Sequence, residues 1–96
     1  MEFLPGDLVL STAGRDKGRY FIIIKVIENF AFICDGDLRR YEKPKKKKLK
    51  HLKHLGISDA QIKEKILCGQ KITNSEIRKR IAHMLESDEI SSPKGG

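Results

Sequence analysis

The spacing of apolar positions changes once along the chain, near residue 56. Before that point they fall in short runs broken by glycine, aspartate and proline; after it they recur about every 3.6 residues. Leu8, Val9 and Leu10 follow Pro5 and Gly6, and Tyr20 to Ile27 is almost unbroken in β-branched and aromatic residues. Such side chains pack well on a pleated surface, so these runs predict strands over Asp7–Thr12 and Arg19–Ile27. Glu28 and Asn29 are expected to turn the chain, because asparagine tolerates the left-handed region, and Phe30–Cys34 returns as a third strand. Asp35-Gly36 is the strongest short hairpin signal and predicts a fourth strand over Leu38–Tyr41, ended by Pro44. A last strand is expected over Lys46–His51, with Leu49 facing inward.

Short successive strands joined by tight turns fit a small antiparallel barrel of the SH3-like kind. In the second half, Ser58 with Gln61 reads as a capping box opening a helix to about Cys68, which Gly69 would end. Ile62 and Ile66 share one face of it. Thr73 with Glu76 opens a second helix whose stripe is Ile77, Ile81, Met84 and Leu85, ending near Ser87. Stripes this narrow are not stable alone, so the pair is expected to pack on each other, on the barrel or on a partner. The fold expected is therefore mainly β: a barrel over residues 1–55, a two-helix C-terminal appendage over 56–87, and a disordered tail over 88–96 rich in serine, proline and glycine.

Charge sharpens this picture. The 96-residue chain carries a formal charge of +7, with 20 Lys and Arg against 13 acids. Nine of those cations and one acid lie in the segment 39–54, which therefore holds +8, while the rest of the chain holds 11 cations, 12 acids and −1. A block of this kind points to a polyanion, and nucleic acid is the first candidate. Four consecutive lysines also make a well-protected sheet edge, but edge protection needs one or two of them rather than the whole block. The cations available to phosphate are Arg39, Arg40, Lys43, Lys45, Lys46, Lys47, Lys48, Lys50 and Lys53. Lysines position a nucleic acid without specifying its sequence.

Between the first two strands, Gly14-Arg15-Asp16-Lys17-Gly18 forms a loop whose glycines permit positive φ and which presents Arg15, Lys17 and Arg19. Held at both ends by strands, it is the candidate for shape-selective contact, with Arg15 able to fork onto phosphate or stack on a base. Tyr20 and Tyr41 are candidate stacking platforms.

Gly6, Val9, Gly14, Lys17, Gly18 and the run Ile22-Ile23-Ile24 resemble the KOW motif, a strand, glycine-rich loop and strand unit of ribosomal proteins and transcription elongation factors. The continuation through Asn29, Phe30, Ile33, Asp35, Gly36, Arg39, Arg40, Lys43, Pro44, Leu49, Lys50, His51 and Leu52 is similar to the KOW-type large-subunit ribosomal proteins of archaea and eukaryotes. The resemblance covers roughly the first half of the chain. It implies the same SH3-like barrel, and it implies ribosomal RNA as the partner of a ribosomal or ribosome-associated protein in translation or assembly.

Other chemistry finds less support. His51 and His54 are three apart, but no further ligands stand at metal-binding spacing, so neither metal nor cofactor is expected. Cys34 and Cys68 are expected to be buried structural thiols. Asp7, Asp16, Asp35 and Asp37 lie at turns, where aspartate commonly bonds the backbone, and no nucleophile-base arrangement or P-loop pattern is present. An enzyme and a small-molecule substrate are not expected. Residues 1–6 lack the features of a signal peptide and no apolar run is long enough to span a bilayer, so a cytoplasmic protein without membrane contact is expected. Two alternatives use the helices: a helix-turn-helix reading DNA through Arg78, Lys79 and Arg80, and an adaptor in which the barrel or the apolar helix faces hold a protein partner.

Overall fold

β-Branched runs become strands where expected. In the computed structural model, which describes residues 2–87, β1 (Asp7–Ser11), β2 (Tyr20–Ile27) and β3 (Phe30–Cys34) match the expected segments to within a residue. β4 (Lys45–Lys48) and β5 (Leu52–Ser58) complete one antiparallel sheet in the order β4-β3-β2-β1-β5. Two helices follow, α1 (Ala60–Cys68) and α2 (Asn74–Ser87), so the protein is mainly β with a helical pair on its C-terminal side. The expected tail, 88–96, lies outside the described residues.

Side chains alternate between two faces of this sheet. On the inner face Val9, Phe21, Ile23, Ala31, Ile33 and Leu52 form one buried cluster, with Phe3, Val26 and Leu49 against it. On the outer face Leu8, Ile22 and Cys34 are covered by Ile62 of α1, Ile72 of the connection, and Ile77, Ile81 and Met84 of α2. The helical stripes therefore find their cover on the sheet, as narrow stripes must.

Five local expectations change. The strand over Leu38–Tyr41 does not form, because the Asp35 side chain captures the amides that a hairpin would need. Its Oδ1 accepts from the amides of Asp37 and Arg39, and the amides of Asp35 and Gly36 both donate to the Arg39 carbonyl. Residues 35–44 are a loop instead, and β4 follows directly after Pro44. The strand expected over Lys46–His51 stops at Lys48, and Leu49–His51 is a single 3-10 turn.

β5 is the strand that the change of period concealed. It runs through residue 55 to Ser58, with a register shift against β1 between Asp7 and Val9, and Gly56 at φ +74°. The first helix is capped one residue later than expected: Asp59, not Ser58, accepts from the Ile62 amide. The second cap is Thr73 as expected, its hydroxyl accepting from the Glu76 amide. In the turn between β2 and β3, Glu28 rather than Asn29 takes the left-handed conformation, at φ +54°.

Hydrogen bonds tie the helices to the loop over 35–44. Asn74 accepts from the Tyr41 amide and donates to the Glu42 carboxylate, while Arg78 donates to the Gly36 carbonyl. The approach is close enough that a Cβ at Gly36 would stand 2.3 Å from the Asn74 carbonyl oxygen, at a φ of +77°. At the other end Asp59 holds both helices, capping α1 and pairing with Arg80 of α2 at 2.8 Å.

Candidate nucleic-acid interface

The Gly14–Gly18 loop is built as expected at its glycines, both at positive φ, and closed by backbone bonds from Lys17 to Gly14 and from Gly18 to Ser11. Its charges divide. Arg15 and Lys17 are exposed, with no ion pair among the described residues. Asp16 is buried and accepts from Nε and Nη2 of Arg39, at 3.3 and 3.1 Å. Arg19 donates at 3.0 Å to Asp35, which is also buried. Each of the two loops thus contributes one arginine and one aspartate to the other, and the crossed pairs lock them together.

Titration follows this geometry. Burial works to raise the Asp35 carboxyl, but the amides of Arg39 and Asp37 and the Arg19 guanidinium outweigh it and hold it below its ordinary 3.8. The hydrogen bond to Asp35 raises Arg19 in turn. The candidate RNA contacts Arg19 and Arg39 are thus held in ion pairs that join the two loops, with Arg19 exposed and Arg39 half-buried.

β4 sorts its lysines by the pleat. Lys47 lies opposite Ala31 on the inner face, is buried, and donates from Nζ to the Ala13 carbonyl at 2.6 Å. That bond runs from an edge strand to the β1–β2 loop. It also withdraws Lys47 from the expected RNA-binding set, since its ammonium is buried on a backbone oxygen. Lys46 and Lys48 lie opposite Phe32 and Phe30 on the outer face and are exposed. The Lys46 ammonium stands 4.5 Å from the centre of the Phe30 ring, and Lys25 of β2 stands 5.7 Å from that of Phe32.

Two clefts continue this strip. One of about 460 Å³ is lined by Leu38, Arg39, Arg40, Lys43, Pro44, Lys45 and Lys46, without an acid. The other, about 410 Å³, is lined by Asn29, Phe30, Lys48, Leu49 and Lys50. Lys43, Lys45, Lys50 and Lys53 are exposed, and Arg40 has only a long 4.0 Å approach to Glu42. The basic segment from Arg40 to Lys50 is thus a surface track along β4 between two concave ends, while Lys53 lies apart on β5, opposite Leu10 of β1 at the other end of the sheet order.

Tyr20 and Tyr41 are both half-buried against the helix-covered cluster, and the Tyr41 amide is fixed by Asn74. The exposed-face aromatics that sequence reasoning passed over are Phe30 and Phe32, with Lys25 beside them. The signal was the period of two in Phe30-Ala31-Phe32-Ile33, in which Ala31 and Ile33 are buried and both phenylalanines face the other way.

On α2, Arg78 and Arg80 donate to Gly36 and Asp59, Arg78 remaining exposed as Lys79 is and Arg80 being half-buried. A further cleft, about 440 Å³, lies between Arg19, Tyr20, Asp35 and Asp37 on one side and Arg78, Ile81, Ala82 and Leu85 on the other.

His54 is structural: its Nδ1 accepts from the Gly56 amide, so the hydrogen on Nε2 goes to the buried Asp7 carboxylate at 2.8 Å. Among the described residues no group of three or more His, Cys, Asp or Glu is placed to hold a metal ion. Cys34 is buried, and burial pushes its thiol up to about 12, with Asp35 and Glu42 adding to the effect. Cys68 is exposed, contrary to expectation, because it falls at the end of α1 away from the sheet. Among the described residues no helix is long and apolar enough to cross a membrane.

Compared with models of known protein families and with curated proteins, the chain matches none.

Proposed function

We propose that the protein is a non-enzymatic, KOW-type RNA-binding protein that acts in the cytoplasm on ribosomal RNA, as a ribosomal or ribosome-associated factor in translation or ribosome assembly. The observation that carries the reading is the basic track: Lys46 and Lys48 point outward from β4, and Arg40, Lys43 and Lys45 surround an adjoining cleft whose lining includes no acid. Cations gathered in this way neutralise phosphates and release counterions, which gives affinity without much sequence preference. The Gly14–Gly18 loop adds a second contact. Locked by the Arg39–Asp16 pair, it holds Arg15 and Lys17 outward, where a rigid basic loop fits a groove or bulge of structured RNA. The restriction to ribosomal RNA rests on the KOW resemblance of residues 6–52.

Crosslinking in cells, followed by sequencing of the attached RNA and sedimentation of ribosomes from the same lysate, tests this. The expected result is crosslinks at a defined ribosomal RNA site and protein travelling with large subunits. Scattered crosslinks and a free protein would overturn the ribosomal assignment.

A further inference from the structure

The outer sheet face is only half covered. Beyond the part under the helices, Phe30 and Phe32 stand two residues apart on β3, both half-buried, with Lys46 and Lys48 opposite them on β4 and Lys25 on β2. We propose that this bare half is a base-stacking platform for single-stranded RNA, in which Phe30 and Phe32 each take a base and Lys25, Lys46 and Lys48 take the flanking phosphates. The proposal rests on the RNA-binding reading above and names the form of RNA that this face selects.

Three observations argue for it. First, the aromatic rings belong to neither buried cluster: the covered half of the same face is filled by Leu8, Ile22 and Cys34, and the helices bring only aliphatic and Met side chains to it. Second, the charge is complementary. Every charged residue paired across this strip is a lysine, and the neighbouring acid in the chain, Glu28, sits out in the turn. Third, the spacing suits one base per ring, since alternate residues on a strand are roughly 7 Å apart.

The lysines now lie over the rings, and their release does not prevent stacking. An exposed cation–π contact is worth about 2- to 5-fold in an equilibrium, whereas a stacked base is worth about 5- to 150-fold. Flexible ammonium groups that leave the ring faces are then placed beside the phosphates of the same strand. A duplex keeps its bases stacked internally, so it gains only the phosphate contacts.

The test uses the full chain with two probes, a labelled oligouridine and a labelled RNA hairpin duplex, titrated across salt concentrations. Phe30→Leu combined with Phe32→Leu keeps the apolar cover and removes the ring faces. It is expected to weaken oligouridine binding by at least about tenfold, leaving the salt slope and the duplex affinity within about twofold of the native values. Because the chain contains no tryptophan, Phe30→Trp adds a unique emission, which oligouridine is expected to quench and the duplex to leave unchanged. Native oligouridine affinity in the double variant, or an emission that does not respond to oligouridine, would overturn the platform while leaving salt-dependent RNA binding intact. A native chain that binds neither RNA at low salt would overturn the RNA-binding reading, and the platform with it.

Discussion

The two halves of the outer sheet face share β2 and β3 and differ in what lies over them. Where α1 and α2 lie over it, the sheet offers Leu8, Ile22 and Cys34, all fully buried. Where the helices stop, β3 and β4 offer phenylalanine and lysine in alternation across the ladder. Burial of one aliphatic side chain contributes about 1.5–3 kcal/mol, and an exposed lysine over a ring about 0.5–1 kcal/mol. The covered half therefore decides whether the chain folds, and the bare half contributes little to that and is available for binding. The same division runs through β4 itself, where Lys47 is buried on a backbone oxygen and Lys45, Lys46 and Lys48 face solvent.

The sharpest way to break the comparison is to cut into the covered half. Ile77→Ala removes a fully buried side chain from the joint between helices and sheet, and should lower stability in urea unfolding by about 2–5 kcal/mol. Phe32→Leu, in the bare half, should cost under about 1.5 kcal/mol in the same assay. Equal losses would show that both halves are core.

Next in size is the contrast inside β4. Lys47→Met removes the charged donor of the Ala13 carbonyl, leaving it the Ser11 hydroxyl at 3.2 Å, and should cost about 1–3 kcal/mol of stability. Lys46→Gln should leave stability within about 0.5 kcal/mol and reduce the salt dependence of RNA binding instead. The reverse pattern would mean that the pleat does not sort these lysines as described.

A smaller effect is expected from acid. Because the folded chain holds the Asp35 carboxyl below its ordinary 3.8, the stability it contributes is present above that value and lost as pH falls through the folded one. Thermal melts of the native chain should decline in that range, and Asp35→Asn should remove part of the decline. Smallest in energy, but simple to read, is thiol reactivity. Under native conditions at pH 8 an alkylating reagent should modify Cys68 and spare Cys34, whose thiol burial holds near 12; both should react in urea. Modification of Cys34 in the native chain would show that the helices open readily.

What the sequence made visible was the local chemistry. β-Branched runs announced β1 to β3, and Thr73 and Gly69 marked helix ends through their own side chain or lack of one. Features set by long-range partners stayed hidden. The crossed pairs join residues 16 and 23 positions apart, so Arg19 and Arg39 looked like surface cations. A run of four lysines carries no apolar pattern, so nothing in it told that Lys47 turns inward. β5 was missed because its bulge and Gly56 break the period of two by which a strand is recognised. The Asp35-Gly36 hairpin signal misled for a related reason: the Asp35 side chain that makes such turns favourable captured two amides and closed a wider loop. Phe30 and Phe32 were within reach, since their alternation with Ala31 and Ile33 already separates two faces.

If the exposed lysines of the β4 track hold RNA phosphates and the buried Lys47 does not, the salt dependence of RNA affinity shows it most directly. Lys45→Gln, Lys46→Gln and Lys48→Gln combined should lower the slope of log affinity against log salt by roughly 0.7–0.9 for each phosphate contact removed, so by about 2–3 in all. Lys47→Gln, assayed under conditions where it remains folded, should leave that slope unchanged. An unchanged slope in the triple variant, or an equal fall in Lys47→Gln, would contradict the account.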